Sequence, residues 1–205
     1  MYRGERFNGF SHLAGVIAAV VGAVLLTLQV WPQGDPWVRF SVLVYGLSLM
    51  ALYSFSTLYH SSRGPVKALF RQLDHLAIYL LIAGTYSPFL MKSLRHGDGP
   101  WMFVLIWALA AVGMVLEMVP KANRRLWAIL IYLLMGWVSL LVIRPLAEAL
   151  PPEGLQLLLG GGLAYTGGVV FYVFDKKVRH FHGIWHLFVL AGSVSHFLCI
   201  YLYVF

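Results

Sequence analysis

Charge is what this chain is short of. Asp, Glu, Lys and Arg make up 11% of its 205 residues, whereas a soluble domain needs roughly a quarter to cover its surface. With a mean hydropathy of +0.77, a water-facing globule is excluded, and the bilayer must solvate most of the surface. Cysteine is nearly missing too. The one thiol, Cys199, lies in an apolar run without a partner, which excludes a disulfide framework and a cysteine-rich metal site. It reads as a small buried hydrophobe. Long linkers, internal repeats and low-complexity tracts are also lacking, so a single domain over residues 1–205 is expected.

What is present is a series of apolar runs long enough to cross a hydrocarbon core of ~30 Å. They fall at residues 13–28, 38–59, 73–91, 101–119, 126–143, 155–174 and 184–205. Breakers separate them: Pro32-Gln33-Gly34-Asp35-Pro36, Arg63-Gly64-Pro65, Gly97-Asp98-Gly99-Pro100, Pro120 and Pro151-Pro152. The first run leads into Trp31-Pro32 without a small-residue cleavage site, so it is expected to stay as a span and not to be removed as a signal. The fold class expected is therefore an all-α membrane protein, a seven-transmembrane helix bundle.

The net charge of +7 would suggest nucleic acid in a soluble protein. Here the cations sit in short loops, and their asymmetry sets topology instead. Eleven of the 15 lie on one side: Arg3, Arg6, Arg63, Lys67, Arg71, Lys121, Arg124, Arg125, Lys176, Lys177 and Arg179. Arg39, Lys92, Arg95 and Arg144 lie on the other. The positive-inside rule then puts the N-terminus in the cytoplasm and the C-terminus outside, in a multi-pass protein of the cell membrane. No nucleic-acid partner is expected.

Topology turns positions into depth. Six of the eight histidines, at 12, 60, 75, 180, 182 and 186, gather at the inner ends of spans. Ionisable groups there are costly unless paired or coordinated. His182-Gly183-Ile184-Trp185-His186 places two imidazoles about 40° and roughly 6 Å apart on one helix, close enough to share an ion. His60 ends span two at the same depth and supplies a third ligand. Ser56 lies four residues before it on the same face. Asp74 opens span three at that level.

Three imidazoles with a fourth position left for water is the open arrangement used by catalytic zinc. Zn²⁺ lowers the pKa of bound water to about 7. Soluble zinc proteases carry a glutamate beside the first histidine, but here position 183 is glycine. The general base must come from elsewhere, and Asp74 is the carboxylate available, with Ser56 placed to hydrogen-bond the water, the attacked oxygen or Asp74. The competing reading makes Asp74 a helix N-cap. Glu5, Asn8 and His12 would form one stripe if span one begins early enough. Glu117 is expected to pair with Arg124 or Arg125, His75 to be interfacial, His180 to be exposed in a loop, and His196 to be a core histidine. Gly160 to Gly162, with Gly167 and Gly168, permit close helix packing or thin a wall for a lipid chain. Trp31, Trp37 and Trp101 fit an outer aromatic belt, with Trp127 and Trp185 an inner one.

Taken together, Glu5-x-x-Asn8-x-x-x-His12, Ser56-x-x-x-His60, Asp74, Ala83-Gly84-Thr85-Tyr86-Ser87-Pro88-Phe89 and His182-x-x-x-His186 resemble the haemolysin III family. That is the bacterial branch related to the progestin and adipoQ receptors. The resemblance covers nearly the whole chain. It implies a seven-helix bundle with zinc held by His60, His182 and His186 near the cytoplasmic face, and with Asp74 and Ser56 close to the metal's water. The wider superfamily includes alkaline ceramidases, which hydrolyse a lipid amide, and bacterial members are linked to membrane homeostasis.

Three functions compete on this reading. The leading one is an intramembrane hydrolase of a lipid amide or ester, whose partner is a membrane lipid or fatty acid. The second is a non-enzymatic regulator or sensor of membrane state, with zinc as a structural clamp. The third is a cytolytic, haemolysin-like protein. A channel is disfavoured, because the outer halves of the spans carry almost no polar residues.

Overall fold

The computed structural model describes every residue but Lys121, and of Arg3 it describes the backbone alone. Among the described residues eight α-helices follow one another: α1 (Arg6–Val30), α2 (Pro36–Ser61), α3 (Gly64–Pro88), α4 (Gly99–Met118), α5 (Arg124–Trp137), α6 (Ile143–Ala149), α7 (Pro152–Phe174) and α8 (Phe181–Cys199). No strand occurs among the described residues. Short 3-10 or π turns extend several of these helices, so that seven stretches are long and apolar enough to cross a membrane. The fifth, Arg124–Ala149, combines α5, a 3-10 segment and α6.

Local chemistry explains the starts. Proline sits in the first turn of α2, α3, α4 and α7, where its missing N–H would have had no helical acceptor. Asp35 caps α2 by accepting from the backbone N–H of Trp37 at 2.9 Å, and Arg95 reaches across to its other oxygen. Where α3 meets Pro88 the i→i−4 ladder cannot continue, and the chain runs on as a π turn through Ser93.

The bundle is apolar outside as well as in its core. Val104, Leu141 and Ile17 are more than 60% exposed and face the hydrocarbon, while His12, Ser56, His60, Glu117 and His186 are buried among the apolar core residues. α2 packs against α1 and α3, α7 against α8, and α8 against α1. Two close approaches set this packing. A Cβ on Gly84 would strike Ser48 of α2, and one on Gly161 would strike the His196 ring of α8. His196, expected as a satisfied core histidine, is half-buried, with Nε2 donating to the Leu158 carbonyl at 3.0 Å and Nδ1 without a partner. Cys199 is buried and directs its thiol at the Gly154 carbonyl.

One expectation about helix starts needs correction, and one condition is met. α3 begins at Gly64, about ten residues before Asp74, so Asp74 stands in the third turn and cannot be its N-cap. The polar opening turns of α3, with Lys67, Arg71 and Gln72, hide its start from a hydropathy reading. α1 begins at Arg6, which places Asn8 and His12 on the helix and Glu5 just before it.

Candidate metal centre

His60 comes from the last turn of α2, and His182 and His186 come from the first two turns of α8. The i, i+4 spacing puts the two α8 rings on one face, their centroids 4.7 Å apart. The His60 ring lies 5.2 Å from His182 and 5.0 Å from His186. One ring nitrogen from each residue falls within 4.8 Å of the other two, a group that could hold a metal ion.

Each imidazole is fixed from behind. His60 Nδ1 donates to Glu5 Oε2 at 2.7 Å, His182 Nδ1 to Asp175 Oδ2 at 2.8 Å, and His186 Nδ1 to the Asn8 carbonyl at 3.1 Å. A histidine whose Nδ1–H is held in this way presents Nε2 as a lone pair, the tautomer a metal requires. His60 Nε2 is buried with no hydrogen-bond partner. An unpaired nitrogen in that position is costly in an apolar interior, and a bound ion would satisfy it. The donor set fits a metal.

The anchors are themselves held. Glu5 accepts from Lys67 Nζ at 2.7 Å and from Asn8 Nδ2 at 3.0 Å. Burial pushes its carboxyl up, but hydrogen bonds from Lys67, His60 and Asn8 outweigh that and hold it at about 2. Asp175 is also below its ordinary range: burial raises it, while His182 and Arg125 lower it by more.

Gly183, between the two α8 histidines, has a packing reason. A Cβ there would collide with the Phe7 ring and come within 3.0 Å of Asn8 Oδ1. The start of α1 fills the space where a zinc protease would place its glutamate.

The three histidines open onto a cavity of about 840 Å³. Ser56 and Asp74 line it beside them. The Ser56 hydroxyl is buried next to the Asp74 carboxylate, short of a well-formed hydrogen bond. Away from this polar end the walls are apolar, with Leu81, Ile82, Leu140, Leu146, Leu158 and Val189. The cavity therefore joins a potential metal site to a space suited to a hydrocarbon chain.

His75 and Glu117 also line this cavity. His75 Nδ1 donates to Glu117 Oε1 at 2.9 Å, and Arg124 donates to the same oxygen at 3.1 Å. The Glu117–Arg124 pair matches expectation, and the half-buried His75 adds a second partner for Glu117 that was not foreseen. Trp185 likewise faces the cavity and not a lipid belt, because its position on α8 turns it towards α7, against Tyr172 at 5.3 Å. Trp31, Trp37, Trp101 and Trp127 are all about half exposed. His180 is exposed in the turn before α8.

His12 has a role not assigned from sequence. Its ring stacks on His186 at 3.6 Å and meets Tyr53 edge-on at 5.1 Å, with both nitrogens buried and unpartnered. Sequence reasoning missed Asp175 as well, and Ser11, whose hydroxyl lies 3.2 Å from His186 Nδ1. Asp175 carried a usable signal, being a lone acid just past span six on the histidine side.

A family model described as "Haemolysin-III related" matches residues 1–197. The chain belongs to the haemolysin III family. Among its relatives, "Hemolysin-3" of Bacillus cereus is 40% identical over 98% of this chain and 91% of that protein. The "Hemolysin-3 homolog" of Bacillus subtilis (strain 168) is 37% identical, over 97% and 93% respectively. Human "Monocyte to macrophage differentiation factor" is 31% identical over 97% of this chain and 83% of its own. This haemolysin III protein is thus a multi-pass membrane protein with three histidines positioned to hold a metal.

Proposed function

We propose that this protein is an intramembrane zinc hydrolase of a lipid amide or ester, with its centre at the cytoplasmic face. The observation that carries this reading is the juxtaposition of three anchored imidazoles, one carboxylate and one hydroxyl at the polar end of an otherwise apolar cavity. The positive-inside distribution puts that end in the cytoplasm. His60, His182 and His186 would hold the ion, and an all-imidazole set with room for water suits zinc. When bound, zinc supplies Lewis acidity and lowers the pKa of a coordinated water.

The chain's own groups do the rest. The apolar walls hold an acyl chain and bring its polar linkage up to the histidines. Asp74 takes the proton from water as oxygen bonds to the carbonyl carbon. It then delivers that proton to the departing nitrogen or oxygen as the old bond breaks. Ser56 donates its hydroxyl hydrogen to the oxygen on which negative charge develops. Glu5, Asp175 and the Asn8 carbonyl keep the three rings oriented throughout.

The test is Asp74→Asn in purified protein, with bound zinc and acyl-lipid turnover measured on the same sample. Hydrolysis should fall by a factor of about 10²–10⁴, as expected for loss of a general acid–base group, while zinc stays stoichiometric. Zinc loss in Asp74→Asn would make the carboxylate a ligand or a structural element. Unchanged turnover would remove Asp74 from the chemistry, whereas no turnover in either protein, with the membrane phenotype surviving in Asp74→Asn, would favour a structural clamp tying α2 to α8 in a membrane regulator.

A further inference from the structure

At the histidine end of the cavity, four cations line the opening: Arg71 of α3, Arg124 and Arg125 of α5, and Lys176 of the α7–α8 turn. Topology alone does not demand this. Arg6, Arg63, Lys177 and Arg179 satisfy the same charge bias without lining the cavity. Arg124 and Arg125 moreover occupy the first two positions of α5, where the helix dipole disfavours cations. Their placement runs against local preference, which suits a binding role.

Most acids of the lining are already engaged. Glu5 serves His60 and Lys67, Glu117 serves His75 and Arg124, and Asp175 serves His182 and Arg125. Each is thus shared between a histidine and a cation, and Asp74 beside Ser56 is the exception. Arg71 and Lys176 have no ion pair or hydrogen bond among the described residues, and both are exposed. Arg125 stacks on the Tyr172 ring, 3.9 Å from its centroid, and its Nη2 donates to Asp175 and to the Tyr172 carbonyl. The free donors at this end are therefore those of Arg71 and Lys176, a guanidinium and an ammonium whose chemistry matches the oxygens of a phosphate.

We infer that the lipid taken by this site carries a phosphate on its headgroup, bound by Arg71 and Lys176 with Arg124 and Arg125 beside them, while its chain enters the apolar cavity. The inference rests on the lipid hydrolase reading for its context but is tested by binding alone. The phosphate sits at the rim, the linkage at the histidines and the chain within. Neutral lipids of the same chain length lack the group this rim is built to hold.

The test uses the full chain in neutral detergent micelles and two ether lipids that no hydrolase can cleave, a hexadecyl glycerol ether with and without a terminal phosphate. Calorimetric titration should show the phosphorylated ether binding at least tenfold tighter. That preference should shrink as ionic strength rises, disappear in Arg71→Gln/Lys176→Gln, and persist in Arg71→Lys/Lys176→Arg. Retained metal and a monodisperse elution profile establish that the variants fold. Equal affinity for the two ethers overturns the inference, as does a preference indifferent to both salt and the double Gln change. Inorganic phosphate displacing the lipid at equal concentration would overturn the lipid source. An inert protein that still shows the preference would refute the hydrolase reading and leave this one standing.

Discussion

Glu5, one residue ahead of the first long helix, accepts the Nδ1 proton of His60 at the far end of the second, 2.7 Å away. The contact couples the start of the chain to a ligand of the candidate metal centre. Removing the charge but keeping the shape, as in Glu5→Gln, weakens the hold on the ring and lowers imidazole basicity. Loss of such a partner commonly costs 10–100-fold in metal affinity. Glu5→Gln should therefore bind zinc in that range more weakly than the wild type in a competition titration with a chelator. An unchanged affinity would reduce Glu5 to a surface partner of Lys67.

The same carboxylate predicts a pH dependence. Held by its hydrogen-bond donors, it titrates at about 2 in the folded protein, below its ordinary value of 4.5. The unfolded state therefore binds the proton more readily across that interval. The stabilisation by Glu5 is complete above about pH 4.5, falls as pH drops from there towards 2, and is absent below both values. In metal-free protein, the difference in unfolding midpoint between wild type and Glu5→Gln should stay constant from pH 7 to pH 5. It should shrink on further acidification. A difference that grows towards low pH would mean that another group carries the contact.

Much of this architecture could be read from the chain. Every apolar run became a span, and His12, His60, His182 and His186 came together at one end of the bundle, because hydropathy and helical spacing are local properties. What could not be read was local signal overridden by packing. The polar first turns of α3 look like loop because Lys67, Arg71 and Gln72 lower the hydropathy there. Arg71 and Gln72 line the cavity and Lys67 pairs with Glu5, so these turns are helical without facing lipid. The carbonyl of Asn8 and the ring of His186 are 178 residues apart, and no periodicity announces that pairing. Residue type alone puts Trp185 in a belt, whereas its helix face turns it to Tyr172 and the cavity.

Gly183 offers a sharper test of that packing. Because Phe7 and Asn8 occupy the space beside it, a leucine there must push the start of α1 away from α8. His186 then loses the Asn8 carbonyl and His60 loses Glu5. Gly183→Leu should both destabilise the fold, by about 1–3 kcal/mol as an overpacked contact, and release metal. A parallel Gly162→Leu change, at a position where a Cβ would meet nothing within 4 Å, should retain the metal. Denaturant unfolding and metal analysis of the two variants separate a local clash from a general intolerance of side chains.

Tyr86 makes a complementary prediction away from the metal. Its hydroxyl accepts the Ser139 N–H at 3.0 Å and lies 2.8 and 2.9 Å from the carbonyls of Met135 and Gly136. These backbone groups belong to the break between α5 and α6, where the regular ladder gives way to a 3-10 segment. One hydroxyl from α3 thus satisfies groups that lipid could not. Tyr86→Phe keeps the ring and leaves those groups unpaired, at about 1–3 kcal/mol for the desolvated donor or acceptor. Unfolding titrations in mixed micelles should register that loss with metal content unchanged, because the three histidines have their own anchors. If Tyr86→Phe instead emptied the metal site, the break in the fifth span would be coupled to the centre through the cavity wall. The independence of the two sites would then be refuted.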